Sequence, residues 1–353
     1  MGVSWESLVR ISAANGWNTV GTFGSRGIFL YADSVNPDLG AQVKENDGKI
    51  MGVREVPPET FTVDRYQPKL SLTNQPRVDD ILMILMAHFQ NVIKSGDGTY
   101  SFFRIPISPD YNTDATPVYA VGTAGTAATG TNVYSVHVDV PYGYSFAGTG
   151  ANGLRFTNCI VDELTMDLKY GEDFTITPVF KPLNGTETVY PNTFLPLSSF
   201  GSFSAYAKFV DSTGTVTVTG KTYSMQSWQG KFSNNSVDRA KLGQRGWSRF
   251  PFAGRYVADG SFDTELEDGL EQLAAGTFGA LTISLTNVVG TNQIVITQSN
   301  IGYRPWAVNI PNGNSILEHS HPYRAYPPIG TTGPSTIVTV YCGTTFGTNL
   351  IGF

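Results

Sequence analysis

The clearest order in the chain is a two-residue alternation across residues 154–180, LRFTNCIVDELTMDLKYGEDFTITPVF. On its first arm Cys159, Val161, Leu164, Met166 and Leu168 are apolar, with Asp162, Thr165, Asp167 and Lys169 largely between them. On its second arm Phe174 and Ile176 alternate with Thr175 and Thr177. Alternation on both sides of the turn 170–173, which carries Gly171, predicts a β-hairpin with one buried and one wet face. Its arms exceed the usual strand of about five or six residues. The hairpin carries no nucleophile and no set of metal ligands, so its pattern points to building a surface.

A different period governs residues 77–94. Val78, Ile81, Leu82, Leu85, Phe89, Val92 and Ile93 fall at three-four spacing, which predicts one apolar helical face. Asn74 suits the cap, Pro76 the entry, Asp79 and Asp80 the positive end, and Gly96 the stop. His88 lies beside the stripe. Ahead of this helix, residues 1–60 carry short apolar runs broken by turn residues, which predicts an extended N-terminal arm; 60–72 read as a strand. Behind it, 99–107 and 132–140 read as strands around a Gly-Thr-Ala loop, and the Pro-punctuated stretch 182–197 as a linker.

A second run of strands is expected at 203–210, 215–221, 225–232, 247–257, 280–285, 293–297 and 336–341. A short helix at 265–275 is predicted from a Thr264-x-x-Glu267 capping box. The order strand, acidic helix start, glycine stop, strand occurs twice. The expected fold class is mainly β, with one order of elements repeated in two halves, 1–197 and 198–353.

Composition supports a structural reading. Charged residues make up 15% of the 353, against about 25% in ordinary soluble proteins. Such a surface suits burial against copies of itself. A net charge of −6 disfavours counterion-releasing DNA binding. Two cysteines, Cys159 and Cys342, make no disulfide framework, and they are expected to be small buried residues of a protein folded in a reducing cytosol. No apolar run is long enough to span a membrane.

The motifs with chemical potential are weak in context. GTGANG at 148–153 matches the dinucleotide fingerprint, but a strand pattern follows it where a helix is required. His319 and His321 alternate as two ligands on a strand would, with no third ligand near in sequence. Acids between Asp259 and Glu271 fail calcium-loop spacing, and no Gly-x-Ser-x-Gly elbow occurs. No catalytic residue, metal or cofactor is expected, and the chain reads as a non-enzyme. The basic cluster Arg239, Lys241, Arg245, Arg249 and Arg255, with aromatics interleaved, reads either as a nucleic-acid patch or, favoured in a chain acidic overall, as a surface that meets the acids Asp263, Glu265, Glu267 and Asp268 of a neighbouring copy.

The hairpin 154–180, with the run WQGKFSNNSVDRAKLG and the later FAGRYVADGSFDTELEDGLEQLAAGTFGALTISLTN, resembles the tail tube (major tail) proteins of long-tailed bacteriophages. The resemblance covers the order of strands, hairpin and acidic helix from about Phe61 onward. It implies a virion structural protein, assembled in the host cytoplasm, whose rings stack into a hollow tube that delivers DNA. Because the chain is twice the length of one tube domain, the resemblance implies two fused antiparallel β-sandwich domains, 1–197 and 198–353, each with long hairpins and one flanking helix, and trimeric rings of pseudo-six-fold symmetry. The partners implied are the chain itself, a tape-measure protein and tail-end proteins, with double-stranded DNA passing transiently and no membrane. By the same resemblance Asp162, Thr165, Asp167, Lys169, Thr175 and Thr177 are candidates for the lumen face. The alternatives are another virion β-protein (baseplate, sheath-like or capsid-decorating) and a carbohydrate-binding β-sandwich using Tyr142, Tyr144, Trp306, Tyr323 and Tyr326.

Overall fold

The computed structural model describes residues 7–13, 27–45, 61–95, 98–104, 120–122, 134–141, 151–190, 209–218, 221–237, 254–265, 278–287, 292–303, 307–308, 318–328 and 333–342. They form a mainly β structure, almost wholly antiparallel, with one helix among the described residues. The early chain supplies β1 (Ser7–Ala13), β2 (Gly27–Asp38), β3 (Ala41–Glu45), β4 (Phe61–Tyr66) and β5 (Lys69–Asn74). β3 and β4 form a separate two-stranded sheet, whereas β1, β2 and β5 join the main one. Val9, Ile11, Leu30, Ala32, Leu70 and Leu72 are all buried. Within the expected N-terminal arm β1 and the start of β2 are therefore core, because their apolar runs supply an inward face, while residues 33, 34 and 36–38 are exposed. The single strand expected at 60–72 breaks at Gln67 and Pro68, where Gln67 N donates to Gly40 O at 2.9 Å. Gly40 sits at φ +63, where a side chain is strained.

Helix α1 (Val78–Phe89) starts near the expected residue and ends five short of the expected one. Arg77 O accepts the first helical bond from Ile81 N at 3.1 Å, so Asn74 ends β5 instead of capping the helix. At the other end Gln90 turns into the left-handed region at φ 66. Its side-chain amide donates to Ala87 O at 2.7 Å and Tyr134 O at 3.0 Å and accepts from Tyr134 N at 2.8 Å. This closes the helix, satisfying carbonyls that a helix end leaves open. The β-branched Val92 and Ile93 then alternate in β6 (Asn91–Ser95), which pairs with β7 (Thr99–Phe103). Every residue from Ile81 to Phe89 is buried, not one stripe alone. The helix packs on β1, β2 and β10 (Ala151–Lys169) as well as on β6 and β7.

Before β10 come β8 (Ala120–Gly122) and β9 (Val136–Pro141); after it come β11 (Thr175–Lys181) and β12 (Asn184–Tyr190). The expected hairpin is present: Asp167 faces Thr175 and Val161 faces Phe180 across β10 and β11. β12 continues opposite the first half of β10, with Leu183 N donating to Thr157 O at 3.0 Å. Residues 184–190 are thus strand where a linker was expected, because pairing bridges the missing donor of Pro182. The remaining linker residues, 191–197, lie outside the described residues. β1, β2, β5, β11, β10 and β9 pair in a closed circuit.

The later chain supplies β13 (Phe209–Val218), β14 (Lys221–Ser224), β15 (Ser227–Ser233), β16 (Val257–Glu265), β17 (Phe278–Asn287), β18 (Gln293–Tyr303), β19 (Ala307–Val308), β20 (Glu318–Ala325) and β21 (Ile337–Tyr341). β15 pairs with the second half of β10, and β16 and β20 extend that sheet. A second run of pairing carries β6, β7, β21, β18, β17, β13 and β14. Strands from both sides of residue 197 therefore share sheets, and one cluster of buried apolar side chains serves both. Glu265 is the last residue of β16; the rest of the expected helix at 265–275 lies outside the described residues.

Candidate functional site

The sheet β5–β11–β10–β15–β16–β20 has one dry face and one polar face. Alternation drives this: Leu164 and Met166 of β10, Ile176 and Phe180 of β11, Trp228 and Phe232 of β15 and Phe262 of β16 are buried. The intervening residues line up across the strands by register. One row runs Thr177, Thr165, Lys231, Asp259, Arg324. The next runs Thr175, Asp167, Gln229, Ser261, Pro322, and a third Lys169, Ser227, Asp263, Ser320. Of the hairpin candidates, Thr165, Asp167, Lys169, Thr175 and Thr177 all lie on this face.

Asp162 does not. The register between β10 and β11 shifts between Val161 and Glu163, a bulge that turns Glu163 outward and Asp162 inward. Asp162 is buried, 3.0 Å from Lys181 Nζ, and its Oδ1 accepts from Ser236 N at 2.9 Å. Glu163 takes the place on the polar face that alternation had given to Asp162.

The ions of the polar face are committed to one another. Lys231 Nζ lies 3.0 Å from Glu163 Oε2 and Lys169 Nζ 2.8 Å from Glu172 Oε1. Arg324 binds Asp259 through two bonds of 2.6 and 2.8 Å, which raises the guanidinium pKa further. Asp167 accepts from Gln229 Nε2 at 2.6 Å, and Asp263 from the Ser227 hydroxyl. Hydroxyls fill the rest, with Thr177 Oγ1 3.0 Å from Thr73 Oγ1. Asp167 and Asp263 carry charge with no cation bonded to them in these contacts, so the described face is polar, internally neutralised and slightly acidic. Sequence reasoning found the hairpin's share and missed Glu163, Gln229, Lys231, Ser261 and Arg324. Alternation about Trp228, Phe232 and Phe262 marks Gln229, Lys231 and Ser261, though glycines at 230 and 260 dilute it; Glu163 depends on the bulge and Arg324 lies in β20.

Beneath the bulge lies a buried polar knot. His88 Nδ1 is 3.1 Å from Val161 O, and Asn234 Nδ2 donates to Val161 O and His88 O at 3.0 and 3.1 Å. Burial lowers the His88 pKa to about 3. His137, which accepts from Asn158 N at 3.2 Å, is lowered to about 4 by burial and by the nearby Arg155 guanidinium. Cys159 is buried and unbridged, its thiol pushed up by burial; Cys342 is also buried and unbridged.

The remaining expected sites separate as follows. Arg239, Lys241, Arg245, Arg249, Glu267 and Asp268 lie outside the described residues; of that set, Asp263 stands on the polar face and Glu265 at the end of β16. His321 is buried and stacked on Phe262 at 5.1 Å, with Nε2 3.4 Å from Thr264 Oγ1. No group of metal-ligating side chains occurs among the described residues. The tail of the glycine motif, from Ala151, is already strand, and β10 continues where a helix is required. Tyr323, a candidate for sugar stacking, is buried and accepts from Trp228 Nε1 at 2.7 Å. No helix among the described residues is long and apolar enough to cross a membrane. No protein-family model matches the chain, and no curated protein is significantly similar to it.

Proposed function

We propose that the chain is a structural subunit that polymerises into the stacked rings of a phage-type tail tube, with the polar face of the β10–β11 sheet turned to the lumen. The observation that carries this reading is that face: broad, hydroxyl-rich, slightly acidic, with Lys169, Lys231 and Arg324 each held by a carboxylate. DNA binding draws its strength from cations that replace condensed counterions on phosphate. A wall whose cations are already paired gives phosphate little to hold, and uncompensated Asp167 and Asp263 repel it. Lys169 therefore does not spoil the wall, because Glu172 answers it. The reading includes three chains per ring and, in each chain, two fused sandwich-like halves joined through the sheets and core they share. Rings that close remove open sheet edges.

Negative-stain electron microscopy of the purified chain over a range of concentrations tests this. Hollow tubes with regular axial striation are expected. A monodisperse monomer or dimer under every condition overturns the reading. The lining is tested separately with D167K together with D263K: tubes are expected to form and to retain double-stranded DNA at low salt.

A further inference from the structure

The two ends of the polar sheet are unlike each other. At one end the turn 170–173 projects from β10, with Tyr170 N bonded to Gln226 O and Gln226 N to Asp263 O. Tyr170 is 89% exposed, the most exposed large apolar side chain among the described residues. The turn carries two exposed acids, Glu172 and Asp173.

At the other end an aromatic pair stands open. Phe278 and Tyr326 are 48% and 38% exposed, and their rings meet edge to face at 5.9 Å. They flank Gly302, where an added Cβ would lie 2.9 Å from the Tyr326 ring and 3.3 Å from that of Phe278. The missing side chain keeps the pair together as one apolar seat. Tyr326 N is held by Asn300 O at 2.8 Å, and Asn300 Nδ2 donates to Pro327 O, so the seat is fixed to the sheet. This end bears a cation: Arg255 is exposed just ahead of β16.

Turn and seat face away from each other across the length of a nine-residue strand, on the order of 30 Å. One chain cannot bring them together; a second copy can. We propose that the turn 170–173 of one copy docks on the Phe278–Tyr326 pair of the next, Tyr170 entering the aromatic seat while Glu172 and Asp173 face Arg255. The contact is heterologous, so it propagates head to tail instead of closing a dimer. It rests on the tube reading, in which it is the contact between successive rings. Each single contact is small, and its repetition around a ring makes it effective.

The test uses the full-length chain. Y170S, and separately F278S with Y326S, are expected to raise the critical concentration for tubes about tenfold or more while leaving rings intact. E172K with D173K is expected to do the same, and adding R255E to restore elongation. Y170C combined with F278C in one chain, oxidised, is expected to give a ladder of covalent oligomers; either single cysteine stops at dimer. Buried Cys159 and Cys342 leave little background. Tubes that elongate like wild type in the serine variants, or a folded double-cysteine chain without a ladder, overturn the contact. A wild-type chain that forms neither rings nor tubes sinks the tube reading alone, and the ladder then still decides the contact.

Discussion

The hairpin holds two ion pairs at its opposite ends, and their surroundings give them different work. At the base, Asp162 and Lys181 meet at 3.0 Å with side chains only 9% and 16% exposed. At the tip, Lys169 and Glu172 meet at 2.8 Å with side chains 65% and 63% exposed. The base pair is locked into the knot of Val161, His88, Asn234 and Ser236. Distance is nearly equal, so desolvation decides. Water screens the tip pair until it contributes almost nothing, while removing either partner at the base strands a buried charge. The base holds the sheet in register, and the exposed tip is the part the proposed docking contact uses.

Acid gives the largest expected separation of the two ends. His88 and His137 bind protons poorly when folded, with pKa values lowered to about 3 and about 4 from 6.5. The unfolded chain takes up those protons first, so stability is full above pH 6.5 and falls as pH drops toward the folded values. Each histidine contributes about 1.4 kcal/mol per pH unit in that window. Denaturant midpoints between pH 7 and pH 5 are expected to fall, and H88N to remove about half of that slope. A slope unchanged by H88N means the knot does not carry it.

Next in size, D162N is expected to cost about 3 kcal/mol in urea unfolding, because Lys181 keeps its charge, loses its carboxylate and is left with the neutral oxygens of Ser236. A loss within about 0.5 kcal/mol places Asp162 among ordinary surface acids. G260A sharpens the comparison within the sheet. Its Cβ would lie 2.5 Å from the Tyr323 hydroxyl and 2.7 Å from Gln229 O. Backbone cannot yield cheaply, so a loss of about 2 kcal/mol is expected by thermal unfolding. The smallest effect belongs to the tip: K169A is expected to change stability by less than about 0.5 kcal/mol. A larger loss would show that the tip is held as firmly as the base.

The hairpin was legible because alternation survives in sequence wherever one face is dry. Asp162 was not, since a bulge shifts one residue without any compositional mark, and the printed order around Val161 gives no sign of it. The start of α1 was legible from Pro76 and the apolar spacing; its end was not. Val92 and Ile93 satisfy helical spacing and strand alternation equally, and a glutamine in the left-handed region at position 90 settled the matter. The all-round burial of the helix was readable in the unbroken apolar run 81–87, where Met83, Ile84 and Met86 fall off the stripe. The later half of the polar face was missed because Gly230 and Gly260 sit at dry positions and dilute the alternation.

The pairing of β7 with β21 bears on how the chain is made. Ser101 Oγ and Thr339 Oγ1 lie 3.0 Å apart across 238 residues of sequence. β6 and β7 leave the ribosome early, yet the strand that joins them to β18 is made only when residues 337–341 are. At synthesis rates of about 5–20 residues per second, that edge waits on the order of ten seconds or more for its partner. Contacts this remote slow folding and leave unpaired strands available to other chains. In the tube subunit proposed above the same delay has a use, because a nascent chain cannot complete this sheet, and so cannot enter an assembly, before β21 exists.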